Sequence, residues 1–330
     1  MNAMNFQGPL FIIGMPRSGT KLLRGLLNQH PQIGIPPSET EFFPWLVSQR
    51  ARFGDLGGQD AFHRFYVEMG DIHYFQRMRE LGGGIPEEAW YRSCSTFTPA
   101  DLFETLLRYD TAVAPGSGRI WGDKSPSYIG HVALLKSHFP QARFIHIVRD
   151  VRDYCLSMRQ AWGKNMLRAA QRWSDGVGCA VAAGAELGAA FMTLRYEDLL
   201  DDAERELRRV CRFLGTEYAE NMSELQGSVE NLGAARNASG IKQGNKFKYL
   251  QDMSPATRQR IESICRPLLE QFGYACEYQG PVRRIGKLQM GAYQAADALN
   301  LFRFHVHERG LLQGVMLVLS LYRTSGNRQS

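Results

Sequence analysis

The most informative segment of the sequence is Leu10-Phe-Ile-Ile-Gly14-Met-Pro-Arg-Ser-Gly19-Thr-Lys-Leu-Leu23. Its first five residues form a continuous apolar run that ends in glycine, which is typical of a strand buried on both faces of a parallel sheet. Leucines at positions 22, 23, 26 and 27 then recur at helical spacing, so a helix should begin near Thr20. The pattern predicts a strand, a glycine-containing loop and a helix.

The rest of the chain continues this alternation of strands and helices. Strands are predicted at 120–123, 143–148 and 191–195. Helices are predicted at about 129–138, from about 150, and at 165–188, 197–214 and 255–272. Strands that alternate with helices indicate a parallel sheet with crossover helices. The predicted fold is therefore α/β, a P-loop-type parallel sheet flanked by helices, with a C-terminal helical extension.

Composition excludes several classes of protein. The chain has 330 residues, of which 44% are hydrophobic and 22% are charged, as in ordinary globular proteins, so disorder and a disulfide-dense mini-domain are excluded for most of it. The six cysteines include no C-x-x-C pair and no zinc spacing, which predicts reduced thiols and no metal site. Neither a secretory signal nor an apolar run of membrane-spanning length is recognisable, and a cytoplasmic location is expected.

The C-terminal segment carries most of the net charge. Residues 280–330 contain seven basic and two acidic residues, hence +5 of the chain's +6. We predict a main domain at 1–279 and a basic helical tail at 280–330. Apolar residues in the tail follow heptad spacing: Ile285, Leu288, Ala292, Ala295, Leu299, Phe302 and Val306. This seam most commonly packs on its own domain, but a homodimer through 285–306 or a peripheral membrane contact also fits.

The loop after the first strand is a candidate anion site. Backbone amides between Gly14 and Gly19 would point into one concavity at a helix N-terminus, with Arg17 and Lys21 as cations and Ser18 and Thr20 as hydroxyl donors. The glycine spacing is that of a Walker A loop, yet Thr20-Lys21 reverses its Lys-Ser/Thr order, and no hydroxyl follows the lysine to hold magnesium. A magnesium-dependent P-loop kinase is thus disfavoured and stays the alternative.

Two motifs resemble those of sulfotransferases that use 3′-phosphoadenosine 5′-phosphosulfate (PAPS). Pro16-Arg17-Ser18-Gly19-Thr20 looks like their 5′-phosphosulfate loop, and the strand that ends in Arg149, with Ser157 eight residues on, looks like their 3′-phosphate motif. The resemblance is greatest to tyrosylprotein sulfotransferases and similar bacterial enzymes. It extends through His30-Pro31, Ser38-Glu39-Thr40, Asp123-Lys124-Ser125-Pro126, Tyr196-Glu197-Asp198-Leu199 and Ile241-Lys242, and covers about residues 9–275.

The resemblance implies roles for individual residues. Glu39 matches the family's general base and Lys124 the lysine that stabilises the transition state, and Arg17 would add positive charge there. The implied cofactor is PAPS, which leaves as adenosine 3′,5′-bisphosphate. Its predicted contacts are Pro16, Arg17, Ser18, Gly19, Thr20, Lys21, Arg149, Ser157, Tyr196 and Lys242. Ser228 and Arg236 are further candidates that the sequence leaves undecided, and Arg152 is an alternative phosphate contact.

The acceptor is the least specified part of the prediction. Aromatic residues between 42 and 98, including Trp45, Tyr66 and Trp90, could stack on sugar rings, although such residues more often form core. We predict a hydroxylated acceptor, a carbohydrate or lipid-linked glycan, and no nucleic acid. A tyrosyl or small-molecule acceptor is the alternative, although Glu41 stands where the tyrosylprotein enzymes carry a basic residue. A non-catalytic nucleotide-binding scaffold is a third hypothesis, disfavoured because both Glu39 and Lys124 are present.

Overall fold

The computed structural model describes residues 6–225 and 240–309, with side chains described up to residue 300. The strands are β1 (Leu10–Gly14), β2 (Ile33–Gly34), β3 (Ile120–Lys124), β4 (Arg143–Val148) and β5 (Phe191–Arg195). The helices are α1 (Thr20–Leu27), α2 (Phe43–Gln49), α3 (Gln59–Met69), α4 (His73–Glu80), α5 (Glu87–Ser93), α6 (Pro99–Asp110), α7 (Val132–His138), α8 (Val151–Trp162), α9 (Met166–Leu187), α10 (Tyr196–Asp201), α11 (Ala203–Leu214), α12 (Tyr249–Asp252), α13 (Pro255–Gln271) and α14 (Lys287–Arg309).

The five strands form one parallel sheet in the order β2-β3-β1-β4-β5. The central strand β1 is buried along its whole length, as its continuous apolar run predicts. Its side chains alternate between two cores, with Phe11 and Ile13 in the aromatic-rich core on one face and Leu10 and Ile12 in the aliphatic core on the other. The predicted α/β fold, a parallel sheet flanked by helices with a helical C-terminal extension, is confirmed.

Local sequence signals explain where elements agree with the prediction and where they differ. Strands β1, β4 and β5 have the predicted bounds, and Ser254 caps α13 by accepting a hydrogen bond from the Thr257 amide. The single helix predicted at 197–214 is wrong: it is divided into α10 and α11. Asp202 causes the break, because its side chain accepts a hydrogen bond from the Arg205 amide and caps a new helix.

The chain divides into two compact units. The first contains the whole sheet and, among the described residues, spans 6–149, 176–225 and 240–244. The second spans 150–175 and 245–309. Within the second unit, Arg152 is buried and donates hydrogen bonds to Asp150 (2.6 Å) and Glu262 (2.7 Å). This pairing accounts for Arg152, the alternative phosphate contact, as a structural residue. The boundary predicted between 279 and 280 stays a prediction.

Two further properties concern the helices and the cysteines of the described residues. Among the helices described, none combines the length and apolarity that crossing a membrane requires. All six cysteines are free thiols.

Candidate active site

Four of the predicted site segments follow the carboxyl ends of neighbouring strands in the first unit. The loop Met15–Gly19 follows β1, Lys124 is the last residue of β3, Arg149 follows β4, and Tyr196 follows β5. Open parallel sheets bind ligands at this edge, because the carboxyl ends of all strands lie there. The fold therefore brings together segments that are as far apart in the chain as Met15 and Tyr196.

The loop after β1 has the geometry of an anion-binding nest. Arg17 and Gly19 both have positive φ angles, of 70° and 94°, and the Ser18 amide donates to the Met15 carbonyl oxygen at 3.1 Å. The N-cap residue of α1 is Gly19, which has no side chain to cap the helix. The Ser18 hydroxyl is buried and has no hydrogen-bond partner among the described residues. A buried donor beside an uncapped helix N-terminus fits a phosphate or sulfate group.

Arg149 and Tyr196 support this loop from the neighbouring strands. Arg149 is almost fully buried, and its Nη1 donates a hydrogen bond to the Arg17 carbonyl oxygen at 3.1 Å. Its guanidinium lies 4.7 Å from the centroid of the Tyr196 ring, a cation–π distance. The Tyr196 ring in turn packs against the Cα of Gly19, where a Cβ would lie within 2.7 Å of the ring atom Cε2. The three residues hold the loop in one conformation.

Glu39 and Lys124 form an ion pair at the same edge. The Lys124 Nζ donates to Glu39 Oε1, and the lysine side chain is fully buried, whereas that of Glu39 is 32% exposed. Burial lowers the pKa of Lys124, and the Glu39 carboxylate opposes this, whereas the Arg24 and Lys21 cations add to it. The pair presents a half-accessible carboxylate and a buried cation, which are the groups a hydroxyl acceptor and a developing negative charge require.

Asp123 is a buried carboxyl group to which the sequence motifs assign no role. It precedes Lys124 in β3, so its side chain points to the opposite face of the strand. It is fully buried, and neither of its oxygens accepts a hydrogen bond of normal geometry among the described residues. Burial raises its pKa to about 7, although the nearby hydroxyls of Ser125 and Thr40 partly offset the increase. A carboxylate inside a strand that is buried along its whole length is the signal that could have identified it.

Replacing Asp123 by asparagine is expected to change how stability depends on pH. Folding raises the pKa of this carboxyl from 3.8 to about 7, so the folded state favours the neutral form. The free energy of unfolding therefore decreases as the pH rises from about 4 through 7, where the carboxyl must ionise in the folded protein. The loss is on the order of 4 kcal/mol at most. Denaturant unfolding at pH 5 and pH 8 should show Asp123→Asn gaining stability relative to wild type at pH 8. An equal difference in unfolding free energy between variant and wild type at both pH values would contradict this. Asp60→Asn, at an exposed site, is the control.

The remaining predicted contacts are placed less closely. Pro16, Thr20 and Lys21 lie in or beside the loop. Lys242 is exposed in the first unit, and Ser157 is buried on α8 in the second. Their roles stay predictions. Ser228 and Arg236 lie outside the described residues.

The aromatic segment predicted to stack on sugars is mostly core. Phe42, Phe43, Tyr74 and Trp90 are at most 4% exposed. Phe42 and Phe43 pack on Phe103, and Tyr74 and Trp90 pack on Phe75. Trp45, Tyr66 and Tyr91 are partly buried at the edge of that core. Core packing accounts for the buried members, so any sugar contact must come from the partly buried ones.

Two family models match this chain. One, described as "Sulfotransferase family", matches residues 9–220, and a second, described as "Sulfotransferase domain", matches residues 182–273. The first match covers more than half of the chain and includes β1 to β5.

The chain is also similar in sequence to individual proteins of known name. The chain is 27% identical over 153 residues to the nodulation protein NoeE of Sinorhizobium fredii, a match over 46% of this chain and 31% of that protein. It is 22% identical over 281 residues to the protein-tyrosine sulfotransferase 1 of Danio rerio, over 80% of this chain and 72% of the relative. The chain thus spans about a third of the first of these relatives.

Solved structures share the fold. The sulfotransferase domain from the curacin biosynthetic pathway superposes with a TM-score of 0.57 at 19% identity, over 82% of this chain and 99% of that domain. The sulfotransferase domain of the Synechococcus PCC 7002 olefin synthase gives 0.50 at 22% identity, over 83% and 98%.

Proposed function

This chain belongs to the sulfotransferase family, and from that premise we propose that it transfers a sulfuryl group from PAPS to a hydroxyl of a carbohydrate or glycolipid acceptor. The observation that carries the proposal is the Glu39–Lys124 pair beside the loop after β1. A carboxylate that can take a proton and a buried cation that can stabilise negative charge are what such a transfer requires. PAPS supplies the sulfuryl group and leaves as adenosine 3′,5′-bisphosphate.

The chain's own residues divide the work as follows. The amides of Met15–Gly19 and the Ser18 hydroxyl bind the 5′ anionic group, and Arg17 and Lys21 add charge. Arg149, anchored to the Arg17 carbonyl oxygen, binds the 3′-phosphate with a guanidinium that Tyr196 orients. We assign Ser157 to the 3′-phosphate and Lys242 to the cofactor on the resemblance alone.

At the acceptor side, Glu39 accepts the proton of the attacking hydroxyl. Its carboxylate is partly exposed, so an acceptor can reach it. Lys124 holds that carboxylate in place before the reaction. Its buried ammonium then stabilises the negative charge that develops as the proton moves to Glu39 and the bond to the leaving phosphate lengthens.

The charge around Glu39 supports a neutral acceptor. Glu41 is exposed two residues after the base, and an acidic side chain there repels an acidic peptide segment but not a sugar hydroxyl. A tyrosyl or small-molecule acceptor is the alternative. The test is a screen with ³⁵S-labelled PAPS against neutral oligosaccharides, glycolipids, tyrosyl peptides and small phenols. Label transfer to a glycan supports the proposal, and transfer only to peptides or phenols overturns the acceptor class.

The tail carries a separate proposal about partners. Asp297 of α14 is buried and accepts hydrogen bonds from the Asn165 amide (2.6 Å) and from Arg168 (2.5 Å), all within the second unit. The predicted seam lies elsewhere on the helix, since Leu288 is 93% exposed and Leu299 is 49% exposed. Leu288 and Leu299 therefore do not pack on their own unit. We propose that the seam at 285–306 pairs with a second copy, since its apolar residues keep heptad spacing and Leu288 and Leu299 are exposed.

Charged substitutions in the seam test this proposal. Leu288→Glu with Leu299→Glu should shift the protein from dimer to monomer in sedimentation velocity, while Gln289→Glu, on the same helix, should not. A wild-type monomer would contradict the dimer. If that monomer binds anionic liposomes and loses binding in the double variant, the tail is a membrane contact instead.

The proposed cytoplasmic location is supported by the free thiols, which suit a reducing compartment.

A further inference from the structure

Three hydroxyl groups connect the segment that carries Glu39 to the segment that carries Lys124. The Thr40 hydroxyl lies 2.8 Å from the Tyr128 hydroxyl and 3.3 Å from that of Ser125. The Phe43 amide donates to the Tyr128 oxygen at 3.1 Å, and the Glu41 amide donates to the Ser125 oxygen at 3.3 Å. We call Thr40, Ser125 and Tyr128 the hydroxyl clasp.

The clasp is buried and holds a backbone that is otherwise unfavourable. All three of its residues are at most 2% exposed, so their hydroxyls interact only with groups inside the protein: with one another, with the two amides and, for Ser125 and Thr40, with the nearby Asp123 carboxyl. Glu41 has a φ angle of +52°, in the left-handed region that non-glycine residues seldom adopt. Such strain persists only where the surroundings impose it. Two amides of this strained segment donate to the clasp: the amide of Glu41 to Ser125, and that of Phe43, two residues later, to Tyr128.

We propose that the hydroxyl clasp positions Glu39 against Lys124, with Tyr128 as a positioning residue for the proposed base. This inference rests on the proposed function. Thr40 directly follows Glu39, and Ser125 directly follows Lys124, so the clasp joins the immediate neighbours of both members of the ion pair. Glu39 lies between β2 and α2, outside the sheet ladder, whereas Lys124 ends β3. Side-chain bonds therefore set the distance between them.

Positioning of this kind has a kinetic consequence. A displacement of about 1 Å at a reacting group can cost roughly a hundredfold in rate. Loss of one clasp hydroxyl would free the Glu39 segment to move without changing any group that reacts. The turnover number should then fall while cofactor binding at the loop after β1 is unchanged.

The test compares two pairs of variants. Tyr128→Phe and Thr40→Val remove one hydroxyl each and keep the side-chain volume, and Thr40→Ser restores the hydroxyl. Tyr74→Phe is the matched control: Tyr74 is 1% exposed in the same core, and its hydroxyl donates to Asp110 at 2.7 Å rather than to the Glu39 segment. Two quantities are measured in each, the pKa of Lys124 by NMR of lysine ¹³Cε, and PAPS turnover with water and with any acceptor found.

The expected results separate positioning from stability. In Tyr128→Phe and Thr40→Val the pKa of Lys124 should fall, because Glu39 no longer opposes the effect of burial, and turnover should drop by between about tenfold and a hundredfold. Thr40→Ser and Tyr74→Phe should match wild type in both. The proposal is overturned if Tyr128→Phe behaves like Tyr74→Phe. A wild-type protein that does not turn over PAPS would refute the proposed function, yet the Lys124 titration would still decide the positioning claim.

Discussion

Turnover of the Glu39→Gln variant should fall by roughly 10²–10⁴-fold, the usual contribution of a general base. The amide has nearly the size of the carboxylate but cannot accept the proton of the acceptor hydroxyl. Binding of adenosine 3′,5′-bisphosphate should stay at the wild-type level, because the loop after β1 and Arg149 are untouched. Single-turnover transfer from labelled PAPS and calorimetric titration measure the two quantities on the same preparation.

The ion pair adds a stability effect that must be separated from the kinetic one. Lys124 is fully buried, and removing its partner leaves a buried cation uncompensated. Breaking such a pair costs up to about 3–5 kcal/mol, and less here because Glu39 is partly exposed. The double variant Glu39→Gln/Lys124→Met removes the buried charge as well, so it should recover stability but not turnover. A folded Glu39→Gln protein with wild-type turnover would contradict the assignment of the base.

Gly19→Ala should abolish most nucleotide binding. Gly19 has a φ angle of 94°, and an added Cβ would overlap the Tyr196 ring, which is itself packed against Arg149. The collision must displace the loop, the ring or both, and with them the amides that face the anion. A strained backbone position alone costs about 1–3 kcal/mol, and the collision adds to it. We expect at least a tenfold rise in the Kd for adenosine 3′,5′-bisphosphate.

Gly82→Ala is the matched control for this experiment. Gly82 also has a positive φ angle, of 77°, but a Cβ there meets nothing within 4 Å. It should show the backbone cost in unfolding experiments and leave binding unchanged. If Gly19→Ala bound the bisphosphate as tightly as Gly82→Ala, the loop after β1 would not be the anion site.

Much of the fold could be predicted because its signals are local. The apolar runs of β1 and β4 read as strands buried on both faces, and Gly14 to Lys21 reads as an anion loop from its glycines and hydroxyls. Parallel strands then bring the segments after β1, β3 and β4 to one edge without further information. The sequence predicts separate roles for Glu39 and Lys124 in one site. Their direct contact is seen only in the structure.

What could not be predicted depends on contacts between distant residues. Tyr128 carries no motif, and its role follows only from where the turn after β3 places its hydroxyl. Strand β2 has two residues, too few to show a period. The tail seam has a clear heptad spacing, yet α14 is anchored by Asp297, which is not part of the seam. An apolar pattern could not predict this, because the anchor is a buried ion pair with Arg168.

The edge of the sheet that holds the loop after β1 and Arg149 should bind a 3′-phosphorylated adenosine nucleotide. Calorimetric titration with adenosine 3′,5′-bisphosphate, beside ATP with and without magnesium, measures this binding. We expect micromolar binding of the bisphosphate without any metal ion, weakened in Arg149→Ala and Gly19→Ala. Binding of magnesium-ATP with no binding of the bisphosphate would contradict the claim and favour a P-loop kinase.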